Sequence, residues 1–172
     1  MITALALEVN VVLWEHFKHL FTNYVFLSAL ISWFLAQIIK VIIGLFNKKE
    51  KNLLKIFFST GGMPSSHSSS VMALCMATGI KVGLGTPVFA VTFVLAGIVM
   101  TDASGVRYQT GQQNIILKRI TQKLFSEDAN EINAGLKELV GHTHAQVYAG
   151  AALGLAVAII MKFIMNIPLA TA

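Results

Sequence analysis

Charge is what this sequence has least of. Asp, Glu, Lys and Arg make up 12% of its 172 residues, against about 25% in an ordinary soluble domain. So few charges cannot cover a water-facing surface, which excludes an ordinary soluble globule. Cysteine is nearly absent: Cys75 stands alone inside an apolar block, so no internal disulfide can form and the redox compartment is not indicated. Residues 1–13 contain no Lys or Arg and carry Glu8, which excludes the basic start of a cleavable signal peptide and predicts that this segment is retained. No internal repeat is present, which excludes a solenoid. No nucleic-acid-binding motif accompanies the formal charge of +5 and the pI near 9.5, so a basic face against anionic lipid is the simpler reading.

What is there is apolar: 55% hydrophobic residues and a mean hydropathy of +0.70, gathered in long blocks. These predict an all-α, polytopic membrane helix bundle forming one domain over residues 1–172, with about four transmembrane helices and an N-terminal interfacial helix. Tyr24–Phe46 is interrupted only by Ser28, Ser32, Gln37, Lys40 and Gly44 and is long enough to cross about 30 Å of hydrocarbon. Residues 2–20 mix apolar positions with Glu8, Asn10, Glu15, His16, Lys18 and His19, which suits a helix lying in the interface. After a link holding Lys48, Lys49, Lys51 and Lys55, the pattern predicts a second helix over Ser66–Val82, a turn at Gly83, Gly85 and Pro87, and a short third helix over residues 88–102. Residues 103–141 form a polar insertion with an amphipathic helix over residues 112–125 and an acidic group at Glu127, Asp128 and Glu131. The last helix is predicted over residues 143–167. Its Ala149, Gly150, Ala151, Ala152, Gly154 and Ala156 permit close helix contacts in lipid and make a homodimer an expectation. This topology brings three polar clusters to one membrane face.

The first cluster is Gly61-Gly62-Met63-Pro64-Ser65-Ser66-His67-Ser68. Free backbone N–H groups at a helix start, with the hydroxyls of Ser65 and Ser66, suit an anion such as phosphate, although the serines and glycines also serve as a plain cap and turn. His67 favours function, since an ionisable side chain at a membrane helix end is usually functional. The second is Gly141-His142-Thr143-His144-Ala145-Gln146. In a helix His142 and Gln146 share a face, so the amide oxygen can take the proton on one ring nitrogen and leave the other free to attack. His144 reads as an ordinary boundary residue. The third is Asp102-Ala103-Ser104-Gly105-Val106-Arg107, where the guanidinium fork suits phosphate oxygens and Asp102 pairs with it or orients a neighbour. A metal-dependent hydrolase using His67, Asp102, His142 and His144 is a further reading that spacing leaves open. Glu15-His16 with His19 lacks the H-E-x-x-H order and is taken as interfacial.

These motifs, with Ala36-Gln37 and Lys40, Gly111-Gln112, Glu138-Leu139-Val140 and Gln146-Val147 with Gly150, resemble the divergent branch of the type 2 phosphatidic acid phosphatases. That family is related to vanadium haloperoxidases and bacterial acid phosphatases, and the resemblance runs from Asn23 onward. It implies that His142 is a nucleophile forming a phosphohistidine, that His67 protonates the leaving alcohol, and that Lys40 and Arg107 bind phosphoryl oxygens without metal or cofactor. The chain departs from the wider superfamily at several points. Ser66 replaces the glycine of Pro-Ser-Gly-His, Val106 replaces the serine before the arginine, and a long insertion separates Arg107 from His142. The first-motif arginine has no evident counterpart. Gln146 replaces the aspartate behind the nucleophile, so it can orient His142 but cannot stabilise an imidazolium by charge. A catalytically silent protein that binds or moves a lipid phosphate is therefore the alternative.

Lys48, Lys49, Lys51, Lys55, Lys118, Arg119, Lys123 and Lys137 fall on the cluster face, against Lys18, Lys81 and Lys162 on the other. By the positive-inside rule the clusters face the cytoplasm from the cytoplasmic membrane, where the expected substrate is a lipid phosphate.

Overall fold

The computed structural model describes residues 14, 17–46, 57, 62–124 and 141–170, and among these the only regular elements are helices. The apolar run beginning at Tyr24 becomes α1 (Tyr24–Phe46). Asn23 starts it, its side-chain oxygen accepting from the N–H groups of Val25 (2.9 Å) and Phe26 (3.4 Å). α2 (Ser66–Val82) is capped by Ser65 and stops at Gly83, whose φ of 93° is the left-handed region open to glycine. α3 (Pro87–Ser104) begins with the cap Thr86 and a proline at its first turn.

Two boundaries differ from the sequence reading. The amphipathic helix expected from residue 112 begins six residues earlier, as α4 (Val106–Leu124), because Gly105 alone leaves helical geometry (ψ −86°). The last helix, α5 (His144–Ile164), ends before residue 167, where Asn166 takes a φ of 49° and Pro168 cannot continue a helix.

Polar and apolar groups are arranged inside out relative to a soluble protein. Phe34, Ile38, Ile42, Phe93, Ile98 and Ile160 are exposed, whereas Ser28, Ser32, Gln37, Lys40, Ser65 and His142 are buried. α2 lies at the centre, packed on α1, α3 and α5. Gly150 and Gly154 bring α5 close to it: a Cβ at Gly150 would lie 2.3 Å from the Ser65 carbonyl oxygen, and one at Gly154 would lie 2.3 Å from that of Ser69. This is the small-xxx-small spacing of helices in lipid. The small residues that raised the homodimer expectation are thus partly used within the chain. Ser32 Oγ donates to the Ser69 carbonyl at 3.1 Å and ties α1 to α2. At the far end Tyr24 Oη donates to the Ala158 carbonyl at 2.8 Å, inside a cluster with Ala77 and Ile80.

Among the described residues three stretches are long and apolar enough to cross a membrane: Tyr24–Phe46, Pro87–Leu124, which joins α3 and α4, and His144–Ile164. α2, expected to be the second of four crossings, has 17 residues and a serine-rich first turn. Its central place explains that composition, since its neighbours are helices more than lipid. Of the expected interfacial helix, Trp14 and residues 17–20 are helical. Trp14 stacks on Phe17 (5.8 Å) and Phe17 meets Phe21 edge-on (5.2 Å), an aromatic group of the kind found at bilayer boundaries. Lys48, Lys49, Lys51 and Lys55, the turn at residues 59–61, the acidic group and residues 125–140 lie outside the described residues.

Candidate functional site

The end of α1, the starts of α2 and α5, and the α3–α4 junction meet on one side of the bundle. Lys40, in the last turns of α1, is 4% exposed and donates from Nζ to Ser66 Oγ at 3.2 Å. Ser66 and Ser65 are themselves buried. Ser65 accepts at its hydroxyl from the Ser68 N–H (3.4 Å) and Ser68 Oγ (3.0 Å), while its own N–H donates to the Gln146 carbonyl at 3.0 Å. The α2 start is thereby joined to the α5 start. His67, the second residue of α2, is exposed on the same turn.

His142 is the most enclosed histidine among the described residues, at 3% exposure. Its backbone N–H donates to the Ala103 carbonyl at 3.0 Å, which fastens it to the end of α3. The approach is close: a Cβ at Gly141 would fall 2.1 Å from the Tyr108 nitrogen, so only glycine fits there. This junction brings His142 to Arg107 across the long insertion. Thr143 and Gln146 form a capping box, in which the Thr143 N–H donates to Gln146 Oε1 at 3.1 Å. The same oxygen lies 3.1 Å from His142 Nδ1. Because a backbone donor identifies that atom as the amide oxygen, Nδ1 must supply the hydrogen, and Nε2 is left with its lone pair. Nε2 is buried without a partner among the described residues.

Burial pushes the His142 imidazole below the ordinary histidine range. The Gln146 hydrogen bond opposes this shift, and Lys40, His67 and Arg107 reinforce it. His142 is therefore neutral near pH 7, the form required of a nucleophile. Lys40, His67 and Arg107 thus all lie within electrostatic reach of His142. Asp102 pairs with Arg107, Nε donating to Oδ2 at 2.6 Å, with both side chains partly exposed at 37% and 58%.

The structure therefore gathers Lys40, Ser65, Ser66, His67, Asp102, Arg107, His142 and Gln146. His144 is not among them, being exposed and stacked on Tyr148 at 6.4 Å. Among the described residues no three His, Cys, Asp or Glu side chains gather as metal ligands would, so the geometry does not assemble the four-ligand set. The sequence reading gave no role to Gln37, one turn before Lys40 on α1. Its side chain is 5% exposed and its Oε1 has no partner among the described residues. The signal was a second amide three residues before a membrane lysine, on the same face.

The divergent PAP2 family matches residues 21–157. The uncharacterized membrane protein YuiD of Bacillus subtilis (strain 168) is 36% identical over 154 residues, covering 84% of this chain and 97% of that protein. No solved structure matches.

Proposed function

The chain belongs to the divergent PAP2 family, and from that premise we propose that this integral membrane protein hydrolyses a lipid phosphate monoester through a phosphohistidine. The observation that carries the reading is the buried His142 ring, held at Nδ1 by Gln146, with Nε2 unpartnered among the described residues and the charges of Lys40 and Arg107 acting on the ring. Nε2 attacks phosphorus as the bond to the lipid oxygen breaks, and His67 gives its proton to the departing alkoxide. Water then attacks phosphorus as the N–P bond breaks, passes a proton to His67 and leaves as inorganic phosphate, restoring the ring. Lys40, Arg107 and the Ser65–Ser66 turn hold the phosphoryl oxygens, the electrostatic support that phosphoryl transfer needs most. Asp102 steadies the Arg107 fork. The chemistry calls for no metal.

The substrate is a lipid phosphate of the cytoplasmic leaflet, such as a phosphatidic acid or a phosphatidylglycerophosphate. α4, which starts at the site, carries Lys118, Arg119 and Lys123, and this basic helix favours that orientation. A reporter fused to the C-terminus should read outside the cytoplasm, and a cytoplasmic signal would reverse the orientation. One observation favours a silent binding or transport protein: the residue behind the histidine is the uncharged Gln146. Phosphate release from a panel of lipid phosphates in detergent separates the two. Turnover that vanadate blocks, EDTA spares and His142→Ala or His67→Ala abolishes supports the phosphatase. Arg107-dependent binding without release supports the carrier.

A further inference from the structure

α4 takes no part in the core. None of its 19 residues is buried, and its principal packing among the described helices is with α3, from which it continues past Gly105. It carries Arg107, Lys118, Arg119 and Lys123 and no acidic residue. Ile116, Ile120 and Leu124, spaced four apart, form an apolar stripe that is 55%, 46% and 69% exposed, with the exposed Leu117 flanking it and a single apolar residue, Ile115, on the other side in this half of the helix. Arg119 and Lys123 border this stripe, whereas Gln122 lies on the opposite side.

We infer that α4 lies along the bilayer surface on the site's face, with its apolar stripe among the acyl chains and Arg119 and Lys123 on anionic headgroups. Three observations commit the stripe to lipid over a protein partner. The helix leaves the end of a membrane span and therefore starts at the boundary. Its charge is of one sign and complements an anionic leaflet. The basic residues border the apolar stripe, where long side chains reach headgroups while their stems stay in the apolar layer. The docking bears on the candidate site because Arg107 is the second residue of α4 and the Tyr108 backbone abuts Gly141. Headgroup charge thereby acts on the arm that places Arg107 beside His142.

The test is made without substrate, so its failure is separable from that of the phosphatase reading. A nitroxide is attached at Ile120→Cys or at Gln122→Cys in the full chain; the native Cys75 is buried and serves as the unlabelled control. The proteins are placed in phosphatidylcholine vesicles with or without phosphatidylglycerol. With the anionic lipid, position 120 should be open to oxygen dissolved in the membrane and closed to an aqueous nickel chelate, and position 122 the reverse. Arg119→Gln with Lys123→Gln should weaken the anionic-lipid preference roughly 30-fold at low salt, counting each charge at its usual contribution at a membrane surface. Equal nickel access at both positions overturns the proposal, as does burial of position 120 that ignores the anionic lipid. Spin–spin broadening between copies at position 120 also overturns it, in favour of a protein interface.

Discussion

Replacing Gln146 with leucine tests how His142 is prepared for attack. Leucine approximates the side-chain volume but removes the oxygen that lies 3.1 Å from both His142 Nδ1 and the Thr143 nitrogen. The Thr143 N–H sits at an exposed helix start and can turn to water, so that loss costs about 0.5–1 kcal/mol. The imidazole is 3% exposed, and a buried N–H without an acceptor costs about 1–3 kcal/mol. Moving the proton to Nε2 gives no relief, because it relocates the orphan hydrogen and also removes the lone pair needed for attack. The variant should therefore be destabilised by about 1.5–4 kcal/mol and slowed by about 10²–10⁴, the range for a catalytic group that loses its tautomer and orientation. Gln146→Glu keeps an acceptor for both donors, adds charge behind the ring and should retain far more activity. Initial rates of phosphate release by the two variants in detergent, with ¹⁵N-histidine spectra to read the tautomer, make the comparison. A Gln146→Leu protein that turns over as fast as the parent, with Nδ1 still protonated, would refute the reasoning.

Gly150→Leu should drive a side chain into the Ser65 carbonyl, 2.3 Å from where its Cβ would stand. The overpacking costs about 1–3 kcal/mol, visible as a lower thermal midpoint and as lost activity, since the Ser65–Gln146 bond lies beside it. Lys40→Met removes a buried charged donor from Ser66 and should weaken vanadate inhibition about 10- to 150-fold, the equivalent of a charged hydrogen bond of about 1.5–3 kcal/mol. Because the His142 pKa is depressed by burial and neighbouring cations, the ring stays neutral as pH falls past the ordinary value. The acid limb of kcat/KM assigned to it should then lie below about 6.5. Arg107→Gln takes away one depressing charge and should move that limb upward. The same sign governs stability: below about pH 6.5 the unfolded chain binds a proton that the folded ring resists, so stability falls as pH falls.

Elements announced by a strong local signal were legible in the sequence. The 23-residue apolar run gave both ends of α1, and the serines after Pro64 marked the start of α2. The start of α4 was obscured because residues from 103 onward read as a polar insertion, whereas one residue, Gly105, makes the break and helix resumes at once. The end of α5 had a local signal in Asn166 and Pro168, which the apolar run through Ile167 masked. The polar clusters of the site were readable as motifs. The approach of Gln146 to His142 was also readable, from their four-residue spacing, whereas the sharing of the same oxygen with Thr143 was not. The bond from His142 to Ala103, the fit of Gly141 against Tyr108 and the central place of α2 were not. They depend on packing between segments far apart in sequence, which periodicity does not encode.

Rapid acid-free quenching of the protein during turnover of a lipid phosphate, followed by peptide mass spectrometry, tests the central claim most directly. The account predicts an acid-labile, alkali-stable phosphoryl group on His142, absent in His142→Ala and longer-lived in His67→Ala protein supplied with a substrate whose leaving group needs no proton. Turnover that proceeds with phosphate never found on His142, or found on another residue, would contradict it.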